Sequence, residues 1–148
     1  MGFAALITWF VAVLAGLYML TVWLIENDVT GRDAAPSQLP VPVIFAHLSL
    51  AMTGFGVWVA YLALDREILA WAAFGLLAPI VLLGLTMFAR WIPVYQGPAP
   101  PGTQQAAGVS LAAPAEGNFP LAVVTVHGLL AGATLVLVLL TALGVGGS

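Results

Sequence analysis

Residues 39–51 read LPVPVIFAHLSLA, and residues 119–131 read FPLAVVTVHGLLA. Each stretch holds one of the only two histidines of the chain, His47 or His127, seven residues after a proline and followed by the pattern His-x-x-Leu-Ala. Each histidine also lies inside a long apolar run, where an ionisable side chain indicates a functional site. These two stretches decide both the expected fold and the expected site.

The composition of this 148-residue chain is that of a membrane protein. Hydrophobic residues make up 62% of it and charged residues only 6%, whereas an ordinary soluble domain carries about 25% charged residues. A membrane helix needs about 20 apolar residues, so the chain has room for four spans and little else. We expect an integral, multi-pass protein of a lipid bilayer, and the abundance of Ala, Gly and Val suggests a bacterial cytoplasmic membrane.

Charge and cysteine content exclude several classes of function. The net charge of −3, with three arginines and no lysine, offers no basic surface for nucleic acid. The absence of cysteine excludes disulfides, iron–sulfur clusters, and haem held by a thiolate or by thioether bonds.

Four apolar runs predict four membrane helices, near residues 3–25, 40–64, 68–90 and 119–143. The connections are long, short and long, and residues 92–118, rich in Pro, Gly, Ala and Gln, predict a flexible loop. We therefore expect residues 1–148 to form one transmembrane domain, an all-α, up-and-down four-helix bundle. Because the Pro-to-His segments recur 80 residues apart, the bundle is either two repeated helical hairpins or a coincidence in an Ala- and Leu-rich chain.

In such a bundle the second and fourth helices run parallel, which places both histidines at one depth. His47 and His127 are expected about 10 Å below the long-loop surface. Side chains on facing helices are where bundles hold cofactors, and imidazole is a common axial ligand of haem iron. A single histidine is explained more simply by a hydrogen bond to a carbonyl or hydroxyl, whereas the matched pair favours joint ligation of one metal. Zinc is disfavoured because it takes about four ligands, and no span has an interior Cys, Asp or Glu.

Small residues accompany each histidine on its own helix: Ala51, Gly54, Gly128 and Ala131. They are expected to leave a slot beside each imidazole for the edge of a planar cofactor, although Gly and Ala are also the usual close-packing residues of membrane helices.

Arg90 ends the third predicted helix, at the surface where the second and fourth helices begin. A guanidinium can bind a haem propionate bidentately. It can equally be an interfacial arginine that extends to the membrane surface beside Trp91. The sequence leaves both interpretations of Arg90 open.

The four-span plan with His47 and His127 resembles the small bis-histidine haem b membrane cytochromes, which include haem-bearing subunits of larger oxidoreductases. The resemblance covers the bundle plan and the histidine pair, and it is architectural. It implies one-electron transfer between a quinone or quinol and a redox protein, by a subunit rather than a stand-alone enzyme. The chain departs from the two-haem members because its single histidine pair can hold only one haem.

Two functions of other classes remain open. The chain could be a cofactor-free structural or assembly subunit of a membrane complex, with both histidines packed in its interior. It could also form a quinone-binding or proton-handling site with neutral histidines. The expected partners are the lipid bilayer, a quinone or redox protein, and either a second copy of the chain or the other subunits of a larger complex.

Overall fold

The computed structural model describes residues 1–27, 37–97 and 114–145. It contains four α-helices, and a short 3₁₀ helix, Ala115–Asn118, precedes the last of them. The α-helices are α1 (Gly2–Glu26), α2 (Val41–Leu64), α3 (Glu67–Gln96) and α4 (Leu121–Ala142). The described ranges contain no strand, and the predicted all-α four-helix bundle is confirmed.

Helix α3 is longer than the sequence predicted. It continues past Arg90 to Gln96 and contains Pro93, whose missing N–H leaves the carbonyl of residue 89 without its helical donor. The extra turns are held by side chains, because Trp91 stacks on Tyr95 with ring centroids 4.9 Å apart. Residues 92–96, which the sequence assigned to a flexible loop, therefore belong to α3.

The other end of the predicted 92–118 loop also differs from the structure. Ala115–Asn118 forms the 3₁₀ helix, and Glu116 within it is fully buried. The indole of Trp91 donates a hydrogen bond to the backbone oxygen of Glu116 at 3.1 Å, which ties this turn to α3. Residues 98–113, the middle of the predicted loop, lie outside the described residues.

The four helices pack as two close pairs. α1 lies along α4, and α2 lies along α3, although the chain order joins α1 to α2 and α3 to α4. The two pairs meet at both ends of the bundle, and at one of them Trp23 of α1 shares a buried cluster with Trp91 of α3. The other end, nearest the α2–α3 turn, we call the short-loop end. There Trp9 of α1 packs edge-on against Phe55 of α2, with ring centroids 6.2 Å apart.

Two clusters of buried side chains close the ends of the bundle. The cluster at the short-loop end is centred on Trp9, Trp58, Leu77 and Val138. The cluster at the opposite, long-loop end consists of Trp23, Leu39, Trp91, Ala115 and Phe119.

Between these clusters lies a section without a single buried side chain. It comprises residues 13–22, 41–53, 81–90 and 121–133, one segment from each helix, and we call it the central zone. Ten helical residues rise about 15 Å, so the zone is a substantial part of the bundle. Its inward-facing side chains are partly buried, and Met19, Ile44, Met87 and Val124 among them pack against the cluster at the long-loop end.

The outer surface of the bundle is apolar on every helix. Ile7, Leu82 and Leu129 expose 63%, 65% and 70% of their surface, respectively. Each helix is long and apolar enough to cross a membrane. A soluble monomer does not tolerate such continuous apolar surface, so the chain is an integral, multi-pass membrane protein surrounded by lipid.

The two hairpins, α1–α2 and α3–α4, repeat one another in their pattern of burial. Residues 68 positions apart in α1 and α3, and 80 apart in α2 and α4, are buried together. The matching buried pairs are Ala5 with Ala73, Trp9 with Leu77, Trp23 with Trp91, Gly54 with Thr134, and Trp58 with Val138. The repeat suggested by the two histidine segments therefore extends over all four helices.

Candidate functional site

The structure brings the two histidines together in the central zone. His47 on α2 and His127 on α4 belong to different helix pairs, and their half-buried rings approach across the interior of the bundle. The ring centroids are 6.2 Å apart, and the ring planes are inclined by 58°. The chain segment between them is 79 residues long, so only the tertiary fold creates this proximity.

Each imidazole is anchored by a backbone carbonyl of its own helix pair. Nδ1 of His47 donates to the carbonyl oxygen of Ile80 at 3.0 Å, and Nδ1 of His127 donates to that of Ala12 at 2.9 Å. A carbonyl can only accept, so the proton of each neutral ring resides on Nδ1. Nε2 of both rings then carries a free lone pair, which is the arrangement that metal-binding histidines use.

The distance between the rings matches the span of one metal ion. An imidazole nitrogen binds a transition metal at about 2 Å, so two imidazoles on opposite sides of one ion have centroids about 6 Å apart. In the parts of the chain that the structure describes, no three or more His, Cys, Asp or Glu side chains gather at a possible metal site. The described residues thus form no four-ligand site of the zinc kind, and the pair suits a metal that brings its own equatorial ligands.

Two glycines, one per helix pair, make room for the imidazole rings. A Cβ at Gly16 would lie 3.2 Å from Cε1 of His127, and a Cβ at Gly84 would lie 3.3 Å from Cε1 of His47. Both distances are shorter than ordinary van der Waals contact. Neither glycine was linked to a histidine from the sequence, although a signal is present there: residues 13–19 read VLAGLYM and residues 81–87 read VLLGLTM.

The small residues singled out from the sequence have different surroundings. Gly54 is buried, and a Cβ there would lie 2.9 Å from the ring of Trp9, so the space beside it is filled by that indole. Gly128 is exposed, and a Cβ there would meet nothing within 4 Å. Ala51 and Ala131 are half-buried, one turn after each histidine. Of the four, only these two alanines occupy the partly enclosed positions expected of a lining.

A buried polar network joins the two long connections above the central zone. The carboxylate of Glu116 accepts from the hydroxyl of Ser37 at 3.0 Å and from the backbone N–H of Gln38 at 2.6 Å. Ser37 in turn accepts from the indole N–H of Trp23 at 3.0 Å. We call Ser37, Gln38 and Glu116 the loop clasp. No sequence pattern pointed to it, because Glu116 stood in a segment with loop composition.

Arg90 lies at the long-loop end, beside the loop clasp. Its guanidinium donates to the backbone oxygen of Gln38 at 3.2 Å, and its side chain is exposed. A surface cavity there is lined by Gln38, Ala89, Arg90, Pro93 and Val94. The structure places Arg90 at the end of the bundle that the sequence predicted, about two helical turns beyond the level of Gly84.

Comparisons of the chain with protein-family models, with curated proteins and with solved structures found no match. The site itself offers three features that bear on function: the adjacent imidazoles, their carbonyl anchors and the central zone without a buried side chain around them.

Proposed function

We propose that this chain is a membrane haem b protein that carries single electrons, with His47 and His127 as axial ligands of the iron. The observation that carries the proposal is the pair of adjacent imidazoles, with ring centroids 6.2 Å apart and both Nδ1 atoms bonded to carbonyls. Haem fits this donor set because the porphyrin supplies the four equatorial nitrogens, and no third protein ligand is needed.

The central zone supports the same proposal. A planar macrocycle needs space between the two helix pairs, and the zone is the one section of the described bundle where no side chain is buried. Its walls are apolar and its height is about 15 Å. The clusters at either end, centred on Trp9 and on Trp23, would limit access of water along the bundle axis.

The protein residues would hold and tune the group. When bound, haem supplies the one-electron change of its iron. His47 and His127 would fill both axial positions, which leaves no open position for oxygen and favours electron transfer. The carbonyls of Ile80 and Ala12 would fix both rings and make the imidazoles more electron-rich, which stabilises the higher charge of oxidised iron.

Two partners would exchange electrons with the bound haem. We propose a quinone or quinol in the membrane and a redox protein as the two exchange partners. The chain would work as a subunit, or as a homodimer, in a bacterial cytoplasmic membrane. Its enzymatic role would then be electron supply rather than chemistry on a substrate.

The visible spectrum of the purified protein tests the proposal directly. After production in a bacterial membrane with haem supplied, reduction should give the sharp, split bands of low-spin haem b, with one haem per chain. A folded but colourless protein would contradict the proposal and favour a cofactor-free subunit. Quinone retained by that colourless protein would favour the quinone-site alternative instead.

The charge of Arg90 should raise the reduction potential of the bound haem. A cation near the propionates disfavours the more positive oxidised state, so we expect Arg90→Gln to keep the haem and lower its potential by tens of millivolts. Arg90→Lys should fall between, and the shift should shrink at high salt because Arg90 is exposed. A redox titration measures this, with Arg66→Gln at the short-loop end as the control. An unchanged or raised potential in Arg90→Gln would leave Arg90 as an interfacial anchor.

A further inference from the structure

We infer that Gly16 and Gly84 are positioning residues for the two histidines, each acting as part of a ligand-holding unit that occurs twice in the chain. The inference rests on the proposed function, because it assigns the residues that set the orientation of the proposed axial ligands. It goes beyond that function by naming two residues that are not themselves proposed as ligands.

Each unit consists of a carbonyl, a glycine one turn later, and a histidine from the neighbouring helix. In the first unit the Ala12 carbonyl accepts from Nδ1 of His127 at 2.9 Å, and Gly16 borders the same ring. A helical carbonyl also accepts from the N–H four residues later, which here belongs to Gly16. The imidazole is therefore a second donor to an oxygen that has two lone pairs.

The second unit repeats this arrangement in the other helix pair. The Ile80 carbonyl accepts from Nδ1 of His47 at 3.0 Å, and Gly84 borders the ring with a hypothetical Cβ at 3.3 Å from Cε1. The carbonyl and the glycine are four residues apart in both units. The same three-part contact therefore occurs in both helix pairs, once for each histidine.

The missing side chain gives the ring its access to the carbonyl. A Cβ at Gly16 would lie 3.2 Å from Cε1 and 3.6 Å from Nδ1 of His127. The ring would then have to move by a few tenths of an ångström away from α1, which would lengthen its bond to the Ala12 carbonyl. The same argument holds for Gly84, where the corresponding distances to His47 are 3.3 and 3.8 Å.

The sequence around the glycines supports a shared constraint. The segments VLAGLYM (13–19) and VLLGLTM (81–87) share Val, Leu, Gly, Leu and Met at matching positions. A tryptophan follows each glycine by seven residues, Trp23 and Trp91, and both are buried in the long-loop cluster. The two segments differ only at their third and sixth positions. The glycine that borders a histidine ring is common to both.

Four other helical glycines serve as matched controls. A Cβ at Gly56, Gly75, Gly128 or Gly132 would meet nothing within 4 Å. Alanine is a better helix former than glycine, so these substitutions should leave the helices intact or stabilise them. Gly75→Ala is the sharpest control, because Gly75 is exposed, lies on α3 like Gly84, and a Cβ there would meet nothing within 4 Å.

Nitrogen NMR of ¹⁵N-histidine-labelled protein in lipid vesicles, without added haem, tests the inference. The chain has only two histidines, so each ring can be followed separately. We expect both wild-type rings to be protonated at Nδ1. Gly16→Ala should shift the His127 signals alone, Gly84→Ala should shift those of His47 alone, and the control variants should shift neither. Unchanged signals in both Ala variants, or equal shifts in the controls, would overturn the inference.

A double-mutant comparison keeps the inference testable if a Gly→Ala variant folds poorly. Gly16→Ala should lower thermal stability in the wild-type background, yet be neutral or stabilising in a His127→Ala background, where the ring is gone. An equal loss in both backgrounds would overturn the inference. Failure of the proposed function is distinguishable, because a wild-type protein that binds no haem leaves both of these measurements intact.

In haem-loaded protein the same variants should change the electronic signature of the iron. Gly16→Ala and Gly84→Ala should retain low-spin haem but shift its largest EPR g-value, which follows the orientation of the axial rings. Gly75→Ala should leave that value unchanged. A purely structural role of the glycines would lower protein yield without moving the signal of the protein that folds, and that result would overturn the inference.

Discussion

Replacing either His47 or His127 by alanine is expected to abolish the low-spin haem spectrum. Loss of one imidazole would leave the iron without its sixth ligand. Among the described residues, no third His, Cys, Asp or Glu joins the two histidines in a possible metal site that could replace it. Loss of a residue that merely orients a ligand costs about 10–100-fold in metal affinity. Loss of the ligand itself should cost at least as much, so haem content should fall more than about tenfold.

The test compares haem content and spectrum of each variant with two neighbours on the same helices. Ser49→Ala and Thr125→Ala change exposed residues two positions from His47 and His127, and both should keep a full complement of low-spin haem. Added imidazole should partly restore the spectrum of the histidine variants by entering the vacated space. A histidine variant with an unchanged spectrum would show that this histidine is not a ligand.

Replacing Glu116 by alanine is expected to destabilise the long-loop end of the bundle. The side chain is fully buried, and it accepts hydrogen bonds from the N–H of Gln38 and from the hydroxyl of Ser37. A buried donor left without a partner costs about 1–3 kcal/mol, and because Gln38 is exposed and Ser37 is half-buried, water can replace part of what the two donors lose, so we expect a total loss of about 1–3 kcal/mol. The release of a buried charge offsets part of this loss.

Glu116→Gln should be milder than Glu116→Ala. The amide oxygen can still accept from the Gln38 N–H, while the amide N–H₂ would face the Ser37 hydroxyl. That hydroxyl can turn towards the backbone oxygen of Leu39, which already lies 3.4 Å away. One acceptor is therefore lost instead of two.

Thermal unfolding in detergent and proteolysis of the long connections measure the effect of Glu116. The matched control is Glu67→Ala, because Glu67 is an exposed acid at the short-loop end whose carboxylate accepts from the Trp71 indole at 3.3 Å. Its loss should cost little, as for other exposed polar contacts. Equal unfolding midpoints for Glu116→Ala and Glu67→Ala would show that the loop clasp does not stabilise the long-loop end.

Most of the helical plan could be predicted from composition and length alone. Four apolar runs fixed the four helices, and the bounds of α1, α2 and α4 agree with the prediction to within two residues. The end of α3 was not predictable in the same way. Pro93 reads as a stop signal, and the helix continues through it because Trp91 finds partners in Tyr95 and Glu116 that are visible only in the folded chain.

The sequence by itself determined the four membrane helices and singled out the two histidines as the candidate site, because apolar length and residue spacing are local properties of the chain. Only the tertiary structure decided that α1 pairs with α4 and α2 with α3, since helices that are apolar all round do not reveal which face meets which neighbour. The carbonyls of Ala12 and Ile80 likewise acquire their role through contacts 115 and 33 residues away. The burial of Glu116 in the loop clasp was not predictable for the same reason, because it depends on which residues the fold places around that side chain.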